Sequence, residues 1–201
     1  MIAIIDYDAG NLKSVEKALV SLGQEVCVTR EREKLLAADK VILPGVGAFG
    51  DAMKKIRNYG LEEVIHEVVN KGTPFLGICL GLQLLFECSE ECVGVKGLGL
   101  LKGKITKIPD YQGLKVPQIG WNSLKFPNKG RLFAGLEEDS YVYFVHSYYL
   151  QAEEPEIVVA TTEYATLIHA AVEKDNVFAC QFHPEKSSEV GLKIIENFIA
   201  L

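Results

Sequence analysis

Residues 75–88 read Phe75-Leu76-Gly77-Ile78-Cys79-Leu80-Gly81-Leu82-Gln83-Leu84-Leu85-Phe86-Glu87-Cys88. Residues 75–78 are apolar on both faces, the pattern of a strand buried on both sides, and residues 80–88 follow as a helix with no room for a loop. The chain before this junction repeats the alternation. Leu61, Val64, Ile65 and Val68 give residues 61–70 one apolar helical face that ends at Gly72, and residues 50–59 also read as helix. Val41-Ile42-Leu43 is a third strand closed by Pro44-Gly45, and Val26 and Val28 mark a second. At the start, Ile2 to Ile5 is a strand ending at Asp6. Asn11 is placed to cap a helix carrying Leu12, Val15, Leu19 and Leu22, with Gly23 as its stop. Buried strands alternating with helices predict an α/β fold, a mostly parallel central sheet with helices on both faces.

The pattern changes after about residue 94. Gly94, Gly97, Gly99 and Gly103 loosen the chain, and strand-like pieces follow at 141–149, 157–161, 167–172 and 177–182. These predict antiparallel additions to the sheet in the second half. Residues 189–201 return to helix with Leu192, Ile195, Phe198 and Ile199 on one face. With no repeat, linker or low-complexity tract, residues 1–201 read as a single domain.

Composition narrows the function. Of 201 residues, 48% are hydrophobic and 24% charged, which excludes disordered and coiled-coil classes. A net charge of −6 gives no general footprint for nucleic acid or an anionic membrane. The run Met1-Ile2-Ala3-Ile4-Ile5 is too short for a signal peptide's apolar core, and no stretch is long enough to span a bilayer. Five cysteines, at 27, 79, 88, 92 and 180, fit a reducing cytoplasm better than a disulfide framework. Cys88 and Cys92 have no second pair at zinc spacing, so no metal is assigned.

Chemistry concentrates at the strand-to-helix junction. A nucleophile on such a turn is pushed out at the carboxyl edge of the sheet, and flanking Gly77 and Gly81 permit the crowded backbone. The following helix aims its first amides at Cys79 and favours the thiolate, and the Leu80 N–H stands where an oxyanion donor is needed. Read alone, Cys79 is equally well a small buried thiol beside two structural glycines. Gln181-Phe182-His183-Pro184-Glu185 supplies the missing base and its orienter. Pro184 fixes an extended turn there, in which side chains two apart point the same way, so Glu185 can hold the His183 ring. Pro44-Gly45-Val46-Gly47 follows another strand, and its backbone amides could complete an oxyanion hole; an ordinary turn is the competing reading. His66 on a helix and His169 on a strand read as structural or solvated rather than catalytic. Trp121, in a loop-like stretch, reads as core or as an interface anchor.

Gly77-Ile78-Cys79-Leu80-Gly81 with Gln83, followed by His183-Pro184-Glu185, resembles the class I (triad) glutamine amidotransferase family, whose fold is flavodoxin-like. Four further segments resemble the branch of that family that serves imidazole glycerol phosphate synthases. They are residues 6–12, Pro44-Gly45-Val46-Gly47-Ala48-Phe49, Ile119-Gly120-Trp121-Asn122 and Phe144-Val145-His146-Ser147-Tyr148-Tyr149. The resemblance implies that Cys79 attacks the glutamine side-chain amide and forms a γ-glutamyl thioester, with His183 moving protons and Glu185 holding it. It implies that Val46 and Leu80 donate to the oxyanion, and that Gly47, Gln83, Glu91, His146, Ser147 and Tyr148 bind glutamine. It further implies a heterodimer with a (β/α)₈-barrel cyclase that receives the ammonia, with Asn11, Trp121, Tyr143 and Lys186 near that partner, and no cofactor. Other readings are a glutaminase subunit of another synthase, such as those for anthranilate or pyridoxal phosphate, a free-standing cysteine hydrolase, and a non-catalytic regulatory relative.

Overall fold

The structure, a computed structural model, describes every residue from Met1 to Leu201 except Ala9, which lies within the 6–12 segment singled out above. The first half lays down β1 (Ile2–Ile5), α1 (Leu12–Ser21), β2 (Val26–Thr29), α2 (Arg32–Ala37), β3 (Lys40–Gly45), α3 (Phe49–Asn58), α4 (Leu61–Asn70), β4 (Phe75–Cys79) and α5 (Leu80–Leu84). The second half adds β5 (Cys88–Ser89), β6 (Gly103–Lys107), β7 (Gln118–Ser123), β8 (Tyr141–His146), β9 (Tyr148–Ala152), β10 (Val158–Tyr164), β11 (Thr166–Lys174), β12 (Val177–Cys180) and α6 (Ser188–Ile199). Among the described residues ten strands share one sheet in the order β2-β1-β3-β4-β12-β11-β9-β6-β5, with β10 beside β11, and β7-β8 form a separate ribbon. The five strands from β2 to β12 run parallel, and β12-β11, β11-β9 and β9-β6 are antiparallel.

Alternation along the parallel strands divides the core into two layers. Ala3 and Ile5 of β1, Val41 and Leu43 of β3, and Val177 and Ala179 of β12 face α3 and α4, where Phe49, Met53, Ile56, Leu61 and Ile65 are buried. Ile2 and Ile4, Ile42, Leu76 and Ile78, and Phe178 and Cys180 face α1 and α6, which bury Leu19, Ile194, Ile195 and Phe198. Each such large apolar side chain contributes about 1.5–3 kcal/mol on burial, so the sheet is fixed from both sides. Its carboxyl edge is then a rigid shelf from which the next residues project.

Several boundaries differ from expectation. The helix after Cys79 stops at Leu84 instead of reaching Cys88, because Leu98, Leu100 and Leu101 donate their amides to the carbonyls of Leu84 and Leu85 and Cys88 enters β5. Asn11 caps α1 through its backbone carbonyl, which accepts from Ser14 and Val15, and its side chain makes no cap bond. The stretch 141–149 is two strands broken at Ser147, which lets β8 pair with β7 while β9 joins the main sheet. Trp121 stands on β7 and not in a loop. The glycine beside it has a φ of +139, a backbone that hides the strand from its sequence. α2 carries too short an apolar pattern to be seen, burying only Leu35.

Candidate active site

β3, β4 and β12 end side by side, and each delivers one candidate segment to the same edge. Cys79, the last residue of β4, has φ 56 and ψ −110, a conformation that strains an L-residue by about 1–3 kcal/mol. The surroundings hold it there. A Cβ on Gly81 would lie 1.9 Å from the Leu43 carbonyl oxygen, and one on Gly77 would lie 2.8 Å from the Gly81 oxygen. Only glycines therefore let α5 fold back so tightly on β3 and β4, and the tight turn turns the Cys79 sulfur outward. The thiol donates to the Val145 carbonyl at 3.8 Å, and the Gln181 amide nitrogen approaches the sulfur at 3.8 Å. Because α5 has only five residues, local amides rather than a long helix dipole act on the sulfur.

His183 leaves the end of β12 in extended backbone, and its Nδ1 lies 2.8 Å from Glu185 Oε1. Pro184 opens a single 3-10 turn, Pro184–Lys186, rather than the extended turn expected. The turn, not alternation along an extended chain, brings carboxylate and imidazole together. α6 packs directly behind it: a Cβ on Gly191 would lie 1.9 Å from the Pro184 oxygen, and Ser187 Oγ donates to the His183 carbonyl at 2.6 Å. Both side chains are almost wholly buried, at 5% and 1% exposure, and Glu185 Oε2 has no partner among the described residues. Burial works against a charged His183 ring. Hydrogen bonds to Cys79 and Glu185 and their negative charge outweigh it and raise its pKa to about 9. With Nδ1–H donating to Glu185, Nε2 is the nitrogen free to serve the sulfur.

A cavity of about 340 Å³ joins these groups. Cys79, Leu80, His183, Val46 and Gly47 line one part of it. Gln83, Glu91, His146, Ser147, Tyr148 and Lys186 line the rest, together with Val145, quoted in the sequence without a role, and Pro117, which the sequence had not singled out. Gln83 donates from Nε2 to the Tyr148 carbonyl (3.1 Å) and to Gln181 Oε1 (3.0 Å), so Gln181 links it to Cys79. Gln181 was quoted in the sequence without a role. A fully buried amide at the end of an apolar strand is the signal that could have marked it. Glu91 accepts the Phe49 N–H at 2.8 Å and so caps α3. His146 is buried between the Tyr148 carbonyl (2.8 Å) and Gln118 Oε1 (2.7 Å), and burial drives its pKa down to about 4. A neutral ring results, a neutral hydrogen-bonding wall beside the charged pair.

The residues assigned to a partner face divide. Lys186 lines the cavity, and Asn11 borders the narrow gap next to Pro44, Gly45, His183 and Glu185. Trp121 and Tyr143 stand elsewhere, as opposed residues of the β7-β8 ribbon, with ring centroids 5.9 Å apart in an edge-to-face pair. Trp121 is 52% exposed, in line with an anchor rather than a core residue. Among the described residues no group of three or more His, Cys, Asp or Glu could hold a metal ion, and no helix is long and apolar enough to cross a membrane.

Residues 3–201 match the family Glutamine amidotransferase class-I. A protein of Methanocaldococcus jannaschii named imidazole glycerol phosphate synthase subunit HisH is 53% identical over 201 residues, covering all of both chains. A protein of the same name from Aquifex aeolicus is 50% identical, covering 97% of this chain and 94% of its own. Among solved structures, one described as glutamine amidotransferase superposes with a TM-score of 0.76 at 21% identity, covering 98% of this chain and 99% of the other. At that identity it speaks for the fold alone.

Proposed function

The chain belongs to the class I glutamine amidotransferase family, and from that premise we infer that it is the glutaminase subunit of an imidazole glycerol phosphate synthase. The observation that carries the chemistry is the cavity onto which Cys79, on its strained turn, and His183, held from behind by the buried Glu185, both open. Cys79 Sγ, its proton passing to His183 Nε2, attacks the side-chain amide carbon of glutamine, and the carbonyl oxygen becomes an oxyanion facing the Val46 and Leu80 amides. As the C–N bond breaks, His183 Nε2 gives its proton to the departing nitrogen, which leaves as ammonia and a γ-glutamyl thioester remains. Water then adds to the thioester, losing its proton to His183, and as the C–S bond breaks His183 returns that proton to the departing sulfur, giving glutamate and the free thiol. Glu185 holds the ring throughout. Gly47, Gln83, Glu91, His146, Ser147 and Tyr148 shape the glutamine pocket, with the Glu91 carboxylate a suitable partner for the α-ammonium.

The product ammonia goes to a second subunit, a cyclase with a (β/α)₈ barrel that contacts Asn11, Trp121, Tyr143 and Lys186. There it reacts with a phosphoribosyl-formimino carboxamide intermediate to give imidazole glycerol phosphate and an aminoimidazole carboxamide ribotide. The Val46 amide acts as a gate, turned from the Cys79 pocket until the acceptor is bound. Glutamate release from glutamine tests the reading, measured for this chain alone, with the cyclase, and with the cyclase and its nucleotide ligand. A rate near zero alone that rises sharply in the complete mixture is the expected result. A high rate alone, unchanged by the cyclase, would overturn the assigned partner while leaving the Cys79 chemistry in place.

A further inference from the structure

The oxyanion segment is short and tied at both ends. Gly45 still pairs with Cys79 as the last residue of β3, and α3 begins at Phe49. Between them Val46, Gly47 and Ala48 are exposed. The far tie is the Glu91 carboxylate on the Phe49 N–H. The near tie is Tyr7, a wholly buried side chain whose hydroxyl donates to the Pro44 carbonyl at 2.9 Å. The fit around it is close: a Cβ on Gly45 would lie 2.6 Å from the Tyr7 oxygen and 2.9 Å from the Gly81 nitrogen. The hydroxyl therefore sits where the oxyanion segment and the turn of Cys79 meet.

The segment carrying Tyr7 is itself held against both flanks of the loop. Gly10 packs 3.6 Å from the Pro44–Gly45 peptide, measured from where its Cβ would stand. Arg30 bridges Asp6 and Asp8 and lies over the Tyr59 ring, 4.1 Å from its centre. Lys55, on α3, donates to the Asp8 carbonyl at 2.7 Å, and Tyr59, next to that helix, bonds the Asp8 carboxylate. Asp6, Tyr7, Asp8 and Gly10 thus grip the strand before the loop and the helix after it. Burial, with the charge at Cys79 second, pushes the Tyr7 hydroxyl above its ordinary range, so it remains a donor at every working pH.

We propose that Tyr7 is a positioning residue for glutamine hydrolysis, its hydroxyl fixing the Pro44 carbonyl so that only the peptides from Gly45 to Ala48 turn when the oxyanion hole forms. It touches neither glutamine nor the ammonia, and it acts through the backbone. The proposal rests on the glutaminase reading above. Without the hydroxyl, the buried Pro44 carbonyl loses that donor, and the loop start gains freedom that blurs the Val46 donor. That donor matters only when the oxyanion exists, so the loss falls on kcat and not on KM.

The test is Tyr7→Phe in the complex with the cyclase and its nucleotide ligand. We expect kcat for glutamate release about tenfold lower, with KM within about twofold of wild type. Alkylation of Cys79 by iodoacetamide, which needs no oxyanion hole, is expected to stay within about twofold. Wild-type kcat in Tyr7→Phe overturns the proposal, as does an alkylation rate that falls in step with kcat, which would place the effect at the sulfur. If Tyr7→Phe does not fold, Arg30→Gln loosens the same segment from the surface. A kcat at least threefold lower at unchanged KM is expected, and an unchanged kcat overturns the proposal. A wild-type complex that releases no glutamate refutes the glutaminase reading itself, and this proposal with it.

Discussion

Replacing Glu185 by Gln tests how the buried pair works, because it removes a charge and keeps the shape. Glu185 Oε1 lies 2.8 Å from His183 Nδ1, its other oxygen is buried without a partner, and the side chain is 1% exposed. The ring therefore carries much of the compensation for that carboxylate. His183 is raised from 6.5 to about 9, and at about 1.4 kcal/mol for each tenfold in proton affinity this corresponds to about 3 kcal/mol. Because the folded value is the higher one, protonation of His183 stabilises the fold fully below pH 6.5, and the contribution is lost as the pH rises through about 9. In Glu185→Gln, burial opposes the charged ring with only Cys79 to support it. The pH-dependent loss of stability between pH 6.5 and 9 should shrink to about half or less. The Cys79 contribution is common to both chains and cancels to first order in the difference. Chemical denaturation at several pH values reads this directly. The amide also holds the ring poorly for proton transfer, and kcat in the complete synthase should fall about 10³–10⁴-fold, the loss typical of an orienting carboxylate changed to an amide. An unchanged slope of stability against pH together with near-wild-type kcat would refute the argument.

Cys79→Ala and Cys79→Gly should both abolish glutamate release. The glycine variant should be the more stable by about 1–2 kcal/mol, because φ 56 strains any side chain; equal melting temperatures would remove the strain. Gly191→Ala should lower kcat more than tenfold and cost about 2 kcal/mol or more, since its Cβ would meet the Pro184 oxygen at 1.9 Å behind His183. Wild-type melting and turnover would show that α6 can shift freely. Trp121→Ala should weaken cyclase binding about 30-fold by calorimetry without changing the melting temperature of the isolated chain. An unchanged Kd would move the interface elsewhere.

The parallel half of the fold was legible because each strand there is apolar on both faces and each helix carries one apolar stripe, and both patterns survive in the sequence. The β7-β8 ribbon was hidden for the opposite reason. Gln118, Gly120 and Asn122 alternate with Ile119 and Trp121, but the apolar side chains are the exposed ones, so the usual rule points the wrong way. At the site, Cys79 and His183 announced themselves through glycines and proline, residues chosen for backbone geometry. Gln181 and Tyr7 did not, because each lies within an apolar strand or beside one, and its polar atom finds a partner only after the strands assemble. The 3-10 turn at Pro184 was missed because proline forbids continuing a helix but suits its first turn.

Trp121 stands apart from the sulfur, yet the β7-β8 ribbon meets the chemistry at Tyr143 as well as at the Val145 carbonyl beside Cys79. Trp121 rests edge-on against Tyr143, its partner across the ribbon. The Tyr143 carbonyl accepts the His183 N–H at 3.0 Å, and its own N–H donates to Ser187 Oγ at 3.0 Å. Ser187 Oγ in turn donates to the His183 carbonyl. Tyr143 on β8 therefore holds the His183 N–H directly and its carbonyl through Ser187, and the exposed tryptophan stands opposite Tyr143 on β7. A subunit closing over Trp121 would press on β8 and reach the imidazole through two hydrogen bonds, while contact at Asn11 would reach the Pro44–Gly47 loop through the segment held by Tyr7 and Arg30. Base and oxyanion donors thus have separate mechanical connections to the surface. Losing one should lower turnover without abolishing the other's response, so effects at Trp121 and Tyr7 on kcat should multiply rather than mask each other.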